Sequence, residues 1–348
     1  MYNYKKHLIS DSAQIKEALL ILDKLKSDAI LFVLNSEQQL IGSLTYGDVR
    51  RGLLKKLEIN DVVKLFIQDN PKFIRKDNYN IKDIIELREN NFKVIPIVDK
   101  DKKVINILNF RIQKSYLPVD AVIMAGGLGS RLKPLTDSIP KPLLKVGEKT
   151  IIDHIIDRLL KFGVDNYWVS VRYLGEQLET HLGDGESRNA TMKYVREDEP
   201  LGTIGAVSKI DDFKHDYVLV TNSDIITNLN YEEFFLDFVE KDADMSVVTI
   251  PYVIGIPYAV METSNNHVIS FKEKPKYTYY SNGGIYLIKR AILDKIPKDV
   301  FYNSTDLMQT LIESGNKLIS YPIHQYWLDI GKHEDFEQAQ KDIKKIKF

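Results

Sequence analysis

The chain contains no cysteine, which excludes disulfide bonds, thiolate metal sites and a cysteine nucleophile. Its 48 basic and 49 acidic residues leave a net charge of −1, so no excess of charge indicates a nucleic-acid or membrane partner. Long apolar runs are missing as well, both at the N-terminus, where a signal peptide would lie, and at membrane-spanning length elsewhere. We therefore expect a cytoplasmic protein that binds neither nucleic acid nor membrane.

The first third of the chain repeats a helix–strand–strand pattern. A helical stripe that includes Ile15, Ala18 and Leu22 is followed by two strand-like runs, "AILFVL" and "LIGSL". The same order returns with a helix around residues 81–85 and the runs "VIPIV" and "VINIL". Because neither unit could cover its apolar face alone, this pattern predicts a tandem repeat.

The pattern of apolar residues changes after "QKSYLPVD", at residues 113–120. Strand-like runs, "DAVIMA", "NYWVSV" and "YVLVTN", then alternate with the amphipathic helix "TIIDHIIDRLLKFG" and the short helix "LGTIGAVSKI". Such alternation predicts an α/β fold with a mostly parallel sheet covered on both faces, whose ligands bind beyond the carboxyl ends of the strands. We place a boundary between an N-terminal domain, residues 1–115, and a second domain, residues 116–348.

A glycine-rich loop with several basic residues, "VIMAGGLGSRLKPLTDSIPKPLLKVG", opens the second domain at residues 122–147. Its glycines let the backbone turn tightly and approach a ligand closely. A dinucleotide site would need a third glycine where Leu132 stands, and the phosphate-loop pattern G-x-x-x-x-G-K-[ST] is absent. Loop amides with Arg131 and Lys141 instead suit a triphosphate, while a structural turn with solvated basic residues remains the alternative.

This loop closely resembles the signature of sugar-1-phosphate nucleotidyltransferases, G-x-G-[ST]-R-L-x-P-x-T followed by P-K-P-x-L. The similarity extends over residues 119–341, and the later segments come in the family's order. They are "YLGEQLETHLGDG", "EDEPLGTIGA", "LVTNSDI", "FKEKP", "SNGGIYLI", "STDLMQTLI" and "WLDIGKHED". The resemblance removes the dinucleotide interpretation and implies a Rossmann-like, GT-A-like domain with a mixed, mostly parallel sheet.

Enzymes of this family join a sugar 1-phosphate to a nucleoside triphosphate and release pyrophosphate. The attacking phosphate oxygen is already deprotonated at neutral pH, so the obstacle is repulsion between two anions, and cations and positioning should supply most of the catalysis. The resemblance implies that Asp224 and Asp329 hold Mg²⁺ and that Arg131, Lys141 and Asp224 are catalytic. Asp224 also follows a predicted strand directly, although a helix cap at Asp224 and a turn at Asp329 are the structural alternatives.

The resemblance also implies two sets of binding residues. Those expected at the nucleotide are Ala125, Gly126, Gly127, Gly129, Ser130, Arg131, Lys141, Gly202 and Thr203. Those expected at the sugar phosphate are Tyr258, Glu273, Lys274 and Asn282. The chain departs from the family's usual pattern at Gly283, where alanine is common, and at Lys332.

The resemblance indicates the substrates less precisely than it indicates the reaction. "PLGT" and "NSDI" are most similar to guanylyltransferases that act on mannose, heptose or glucosamine phosphates, which implies GTP, and glucosamine 1-phosphate is one candidate sugar because a similar group of enzymes fused to cystathionine-β-synthase-type modules makes GDP-glucosamine. Such enzymes serve surface-glycan or nonulosonic acid synthesis. The alternatives are the same reaction with UTP, dTTP or CTP, and a catalytically silent homologue that senses nucleotides.

The stretch "LIGSLTYGDVRRGLL", residues 40–54, resembles the end of a cystathionine-β-synthase-type (CBS) module. Pairs of these modules often bind adenine nucleotides, and the resemblance implies an effector site at Thr45 and Asp48. The second unit departs from that pattern with "VINILNFR", so the alternative is an α+β CBS pair that serves as a packing or dimerisation surface. We expect a homo-oligomer.

Overall fold

The computed structural model describes residues 3–346 and divides them into two compact units. The N-terminal unit comprises residues 3–118 with two later segments, Leu160–Asp165 and Asp184–Thr191. The large unit comprises Val119–Leu159, Asn166–Gly183 and residues 192–346. No helix in the described residues has both the length and the apolar character to cross a membrane.

The N-terminal unit contains the predicted tandem repeat, with two strands more in the first copy and one more in the second than the sequence indicated. In the first copy, β1 is parallel to β2, β2 is antiparallel to β3, and β3 is antiparallel to β4. In the second copy, β5 is parallel to β6, and β6 is antiparallel to β7. The extra strands, β1, β4 and β5, have three, two and two residues and are too short to show alternation. The elements are β1 Leu8–Ser10, α1 Ile15–Leu25, β2 Leu31–Leu34, β3 Leu40–Leu44, α2 Tyr46–Leu54, β4 Gln68–Asp69, β5 Ile74–Arg75, α3 Ile81–Glu89, β6 Val94–Val98 and β7 Val104–Asn109.

The two copies share a core. Side chains from the strands of both copies form one buried cluster, which contains Phe32, Leu34, Leu40, Val94, Val98 and Ile107. This shared burial is the physical reason for a repeat, because each copy alone would expose half of the cluster to water.

The large unit is built on a mixed seven-stranded sheet in the order β12-β11-β8-β13-β18-β15-β19. The pairs β11–β8, β8–β13 and β15–β19 are parallel, whereas β18 runs antiparallel to both of its neighbours. The strands are β8 Val119–Met124, β9 Lys145–Val146, β10 Lys149–Thr150, β11 Asn166–Val171, β12 Thr191–Arg196, β13 Tyr217–Asn222, β14 Ile225–Thr227, β15 Met245–Gly255, β16 Val260–Ser264, β17 His267–Lys272, β18 Lys276–Lys289, β19 Leu318–Pro322 and β20 Trp327–Asp329.

Helices cover this sheet as the alternating pattern predicted. The helix Ile151–Leu160 buries the stripe expected from its spacing, including Ile152, Ile155 and Leu159. The segment predicted as a short helix after "PLGT" is a 3₁₀ helix, Gly205–Lys209. The helices of the large unit are α4 Ile151–Leu160, α5 Gly175–Leu182, α6 Tyr231–Glu240, α7 Ser304–Glu313 and α8 His333–Asp342.

Two strands of the sheet continue well beyond its core. The distal part of β15, from Pro251 to Gly255, pairs with Tyr280 to Lys276 of β18, and the chain between them forms a second hairpin, β16–β17. We call residues 251–280 the arm. Its side chains are predominantly exposed, in contrast to the buried positions that β15 and β18 contribute to the core.

Candidate active site

Two loops leave the central sheet at the same edge. Strands β8 and β13 are parallel neighbours that end opposite each other, with Asn222 paired to Met124. The glycine loop follows β8, and Asp224 lies two residues after β13. The Ser223 amide donates a hydrogen bond to the Met124 carbonyl at 3.2 Å, which ties the two loops together where a ligand of such a sheet is expected.

A small antiparallel pair brings Asp329 to Asp224. Strand β14 pairs with β20 so that Ile225 lies opposite Asp329. The Ile330 amide donates to the Asp224 carbonyl at 2.9 Å, which closes the pair at its end. Two acidic residues far apart in the sequence therefore meet, as the family resemblance implied.

The two carboxylates differ in their nearest positive charge, because only Asp224 forms a close ion pair. Lys141 is almost fully buried, and its Nζ donates to Asp224 Oδ2 at 2.5 Å. Burial, together with the charge of Asp224, raises the pKa of Asp329 to about 6, although the charges of Lys141 and Arg131 oppose the rise. The site thus holds two carboxylates with one closely paired cation, an arrangement that favours the arrival of more positive charge.

The donor set fits a magnesium ion. Oδ1 of Asp224 and Oδ1 of Asp329 are both buried, and neither has a hydrogen-bond partner within residues 3–346. Mg²⁺ commonly binds through one or two carboxylates and completes its coordination with water and substrate phosphate. The same described residues contain no cluster of three or more histidine or acidic side chains suited to a metal held by protein alone.

Arg131 lies on the Asp329 side of the site. A Cβ placed on Gly331 would be 3.3 Å from Arg131 Nη1, and the guanidinium charge lowers the pKa of Asp329. The side chain is otherwise exposed, so its donors are accessible to an anion that reaches the carboxylates.

The glycine positions of the loop differ in whether the fold leaves room for a side chain. Gly129 has φ +63°, and a Cβ there would lie 3.0 Å from Thr136 Cγ2, while the Gly129 carbonyl accepts a hydrogen bond from Thr136. A Cβ on Gly126 would lie 2.7 Å from Glu197 Oε1. At Gly127, by contrast, a Cβ would have no protein atom within 4 Å. The fold explains Gly126 and Gly129, but it does not explain Gly127.

The two remaining loop residues flank these glycines. Ala125 is buried, and its amide donates to the Ser170 carbonyl at 3.0 Å, which continues the β8–β11 ladder. Ser130 is exposed and begins the 3₁₀ turn Ser130–Leu132, directly before Arg131.

The second loop predicted to bind the nucleotide contains Gly202 and Thr203, and hydrogen bonds hold it at both ends. Glu197 is buried, and its carboxylate accepts hydrogen bonds from Ser170 Oγ and, at 3.0 Å, from the Leu201 amide. Gly202 has φ +79°, and a Cβ there would lie 2.5 Å from the Tyr302 carbonyl oxygen. Thr203 Oγ1 accepts from the Ser304 amide at 2.8 Å. Gly202 and Thr203 therefore have structural roles whatever they bind.

A pocket of about 250 Å³ lies next to Asp329. It joins the Thr203 loop, the β18 strand and the start of α7, and Trp327 closes one wall by donating to the Gly283 carbonyl at 2.9 Å. Its polar lining side chains include Thr203, Asn222, Asn282, Asn303, Ser304 and Asp329. Of the four residues predicted to bind the sugar phosphate, Asn282 is part of this lining.

The other three predicted sugar contacts lie on the arm. Tyr258, Glu273 and Lys274 are exposed, and they occupy the two connections between the β15–β18 ribbon and the β16–β17 hairpin. They are not among the residues that line the 250 Å³ pocket.

Several site residues were missed from the sequence. Thr136 and Glu197 hold the two nucleotide loops, and Asn222, Asn303, Ser304 and Trp327 line the pocket. Thr136 and Glu197 were visible as polar residues inside the loop motifs. The pocket residues gave no such signal, because β18, α7 and β20 meet only in the folded chain.

Thr45 and Asp48, the predicted effector residues, form the N-terminal cap of α2. Asp48 Oδ2 accepts from the Thr45 amide at 2.8 Å and from Thr45 Oγ1 at 2.6 Å, and Asp48 Oδ1 pairs with Arg51. Asp48 is buried. A capping box accounts for both residues without a ligand.

Comparison with known proteins identifies the large unit. The family model described as "Nucleotidyl transferase" matches residues 120–346, which is well over half of the chain. The chain belongs to the nucleotidyl transferase family. The matched residues contain the whole site built from Arg131, Lys141, Asp224 and Asp329.

Individual relatives of this chain differ in the nucleotide they are named for. The chain is 30% identical over 234 residues to a mannose-1-phosphate guanylyltransferase of Mycobacterium tuberculosis, with 65% of this chain and 64% of the relative covered. It is 28% identical over 243 residues to a UTP–glucose-1-phosphate uridylyltransferase of Synechocystis, with coverage of 64% and 63%. The chain thus spans less than two thirds of the length of these relatives.

A solved structure, HddC from Yersinia pseudotuberculosis complexed with GMP-PN, matches with a TM-score of 0.50 and 25% sequence identity. The match covers 65% of this chain and 99% of the HddC chain. Nearly the whole HddC chain therefore aligns with about two thirds of this chain.

The like-charged carboxylates predict a pH-dependent cost that Asp329→Asn should remove. An unfolded aspartate titrates near 3.8 and folded Asp329 near 6, so the cost of ionising it is absent below the first value and complete above the second. Discounted for partial exposure, this cost is roughly 1 kcal/mol, or about 2–4 °C in Tm. In EDTA at pH 8, Asp329→Asn should melt higher than the wild type, and the gap should close towards pH 4.

Thermal unfolding followed by fluorescence between pH 4 and 8 measures this gap. Asp216→Asn is the control, because Asp216 is 81% exposed and should give a flat difference. A gap that does not change with pH would remove the proposed origin of the raised pKa.

Proposed function

We propose that the protein is a Mg²⁺-dependent sugar-1-phosphate nucleotidyltransferase that uses GTP. The observation that carries the proposal is the meeting of Asp224 and Asp329, with Lys141 paired to one of them, beside a polar pocket of about 250 Å³. This arrangement offers a cation-binding pair of carboxylates next to a cavity large enough for a monosaccharide. The product would be a nucleotide sugar for glycan or nonulosonic acid synthesis.

The reaction forms one bond and breaks one. A phosphate oxygen of the sugar 1-phosphate attacks the α-phosphorus of the triphosphate, and the bond from that phosphorus to the oxygen bridging to the β-phosphate breaks. Pyrophosphate leaves with the electron pair, and no proton has to move because the nucleophile is already ionised. The protein must therefore overcome repulsion between anions rather than supply a general base.

Each charged side chain has a role that follows from its position. Asp224 and Asp329 would hold Mg²⁺ through the oxygens that lack partners, and the ion would neutralise phosphate charge when bound. Lys141 is held by Asp224 and would contact the phosphates between the two substrates. Exposed Arg131 would contact the leaving pyrophosphate, where negative charge increases.

Two observations support guanine as the base. The relatives include a mannose-1-phosphate guanylyltransferase, and the similar HddC structure was solved with GMP-PN. The uridylyltransferase relative keeps UTP as the main alternative.

For the N-terminal unit we keep the adenine-nucleotide effector at Thr45 and Asp48 as a proposal, and binding there would have to displace Arg51 from Asp48.

Gly127→Ala tests whether a nucleotide approaches the glycine loop. The added methyl group meets no protein atom within 4 Å, so Tm should stay within about 1 °C of the wild type. If a ligand packs on the loop, the methyl group blocks it, and the Kd for GTP should rise at least tenfold by calorimetry. Gly129→Ala is the contrasting variant: its positive φ and contact with Thr136 should lower Tm as well. Unchanged GTP affinity in Gly127→Ala would indicate a structural turn.

A substrate screen tests the activity itself. Pyrophosphate release is measured for the full chain with Mg²⁺, using GTP, ATP, UTP, dTTP and CTP, each with mannose, glucose and glucosamine 1-phosphates. We expect turnover with GTP and its loss in EDTA. Faster turnover with UTP than with GTP would show that uracil, not guanine, is the preferred base. No pyrophosphate release with any pair of substrates would favour a nucleotide-sensing homologue without catalytic activity.

Asp224→Asn separates metal chemistry from folding. Turnover should fall by two to three orders of magnitude, because an amide is a poor magnesium ligand and no longer pairs with Lys141. Circular dichroism should remain that of the wild type. Asp216→Asn, at an exposed position, is the matched control and should keep its turnover. Near-normal turnover in Asp224→Asn would exclude Asp224 from the metal site.

A further inference from the structure

Backbone hydrogen bonds join the loop of residues 201–205 to the segment that leads into α7. The Tyr302 carbonyl accepts from the Ile204 amide at 3.2 Å and from the Gly205 amide at 3.1 Å. The Tyr302 amide donates in return to the Leu201 carbonyl at 3.0 Å. The two segments are distant in the sequence, yet neither can shift alone without leaving backbone donors and acceptors unpaired.

Side chains of the same two segments make further contacts at Thr203. Asn303 Oδ1 accepts from the Thr203 amide at 3.3 Å, and Thr203 Oγ1 accepts from the Ser304 amide at 2.8 Å. Ser304 is the first residue of α7, where backbone amides have no partner within the helix. Thr203 therefore satisfies a donor that the helix leaves open, and the position of Thr203 depends on Ser304.

The side chain of Ser304 extends these contacts to the central sheet. Its Oγ lies 2.9 Å from the Tyr286 hydroxyl oxygen, and either group can donate the hydrogen bond. Thr203 Oγ1 donates to the same Ser304 oxygen at 3.4 Å, which is a longer and weaker contact. Ser304 and Tyr286 are only 4% and 2% exposed, so little water competes for the hydrogen bond between them.

Tyr286 is a rigid anchor for this contact. Its backbone lies in β18, opposite Val220 of β13 and Val247 of β15, and its ring belongs to a buried cluster that also contains residues of α7. Burial raises the pKa of Tyr286, and hydrogen bonds from Ser304 and Asn282 oppose the rise only in part. The hydroxyl group is therefore protonated at neutral pH and serves as a hydrogen-bonding group rather than a base.

The link through Ser304 and Tyr286 connects the parts of the protein that hold the two substrates in the proposed function. Thr203 is a predicted nucleotide contact, and Asn282, which hydrogen-bonds to Tyr286, is a predicted sugar contact. Both line the 250 Å³ pocket next to Asp329. Strand β18 also pairs with β13, the strand that precedes Asp224. The link thus fixes the 201–205 loop to the part of the sheet that places the metal ligand.

The proposed reaction depends on such a fixed separation. In-line attack requires the attacking oxygen, the α-phosphorus and the leaving oxygen to lie close to one line. A misplacement of about 1 Å can slow a reaction about a hundredfold, even when the change that causes it lies away from the reacting atoms. Two substrates held by different loops therefore need a rigid connection between those loops.

We propose that Ser304 and Tyr286 are positioning residues, which fix the 201–205 loop to the central sheet so that the bound triphosphate and the sugar 1-phosphate meet in line. The inference rests on the proposed function. In this role neither side chain touches a reacting atom, and their loss lowers kcat while the affinity for each substrate stays close to that of the wild type.

Steady-state kinetics of the full chain test the positioning role, with Mg²⁺ and the substrate pair that the screen identifies. Tyr286→Phe and Ser304→Ala each remove one hydroxyl group. Each should lower kcat about tenfold or more, with both KM values within about threefold of the wild type. Tm should fall by at most about 3 °C, because a single hydrogen bond adds little to stability.

Tyr302→Phe is the matched control for these kinetics. Its hydroxyl group lies 2.7 Å from Thr310 Oγ1 of α7 and takes no part in the link, so kcat should stay at the wild-type value. Raised KM values with unchanged kcat in Tyr286→Phe and Ser304→Ala would show that these side chains only line the pocket, and would overturn the proposal.

A double variant tests whether the two residues act as one link. Both single changes break the same hydrogen bond, so the kcat of Tyr286→Phe/Ser304→Ala should lie within about twofold of the slower single variant. Effects on kcat that multiply would show two independent roles and contradict the proposal.

Substitutions of Thr203 test the other end of the link. Thr203→Ser keeps the oxygen that accepts from the Ser304 amide, whereas Thr203→Val removes it at nearly constant volume. We expect Thr203→Ser to keep at least about half of the wild-type kcat and Thr203→Val to fall as far as Tyr286→Phe. Equal kcat values in the two variants would count against the link.

Hydrogen exchange tests the link without any activity. The Ile204 and Gly205 amides should exchange about tenfold faster in Tyr286→Phe and Ser304→Ala, and at the wild-type rate in Tyr302→Phe. Unchanged exchange in both variants would show that backbone bonds alone hold the loop, and the proposal would be wrong. Turnover by the wild type with unchanged kcat in the variants would remove this inference only. No turnover by the wild type would remove the proposed function, and the positioning role with it.

Discussion

The repulsion between Asp224 and Asp329 is the constraint on which the rest of the large unit depends. Two carboxylates at close range, one of them with its pKa raised to about 6, are unfavourable unless the surrounding structure holds them together. The β14–β20 pair does so through backbone hydrogen bonds, and Lys141 compensates one of the two charges. The remaining negative charge is left on Asp329, beside Arg131.

The sheet places everything else relative to that pair. Strand β8 delivers the glycine loop, β13 delivers Asp224, and β18 delivers Asn282, all from adjacent positions in one sheet. Within the loops, the fold already accounts for Gly126, Gly129 and Gly202, because a side chain at any of them would meet protein atoms closely. Gly127 is different, because a Cβ there would meet no protein atom within 4 Å, and the fold itself does not require a glycine at this position.

Much of this could be predicted from the sequence where the determinants are local. The glycine loop, the α4 stripe and the buried strands β11 and β13 were located from spacing and composition alone. The tandem repeat was found as well, without its shortest strands. The pairing of Asp224 with Asp329 was available only through the family resemblance, because strand pairing between distant segments leaves no periodic trace. The exposed course of the arm was not predicted, because an alternating apolar pattern does not distinguish a hairpin packed on the core from one that extends away from it.

The β14–β20 pair has a consequence for the order in which the protein becomes competent. During translation the glycine loop, Lys141 and Asp224 leave the ribosome well before Asp329, which belongs to the last strand in chain order. An unfinished chain can fold much of the sheet yet lacks one of the two carboxylates. The pair of carboxylates therefore forms only after β20 has been synthesised, however much of the sheet has folded by then.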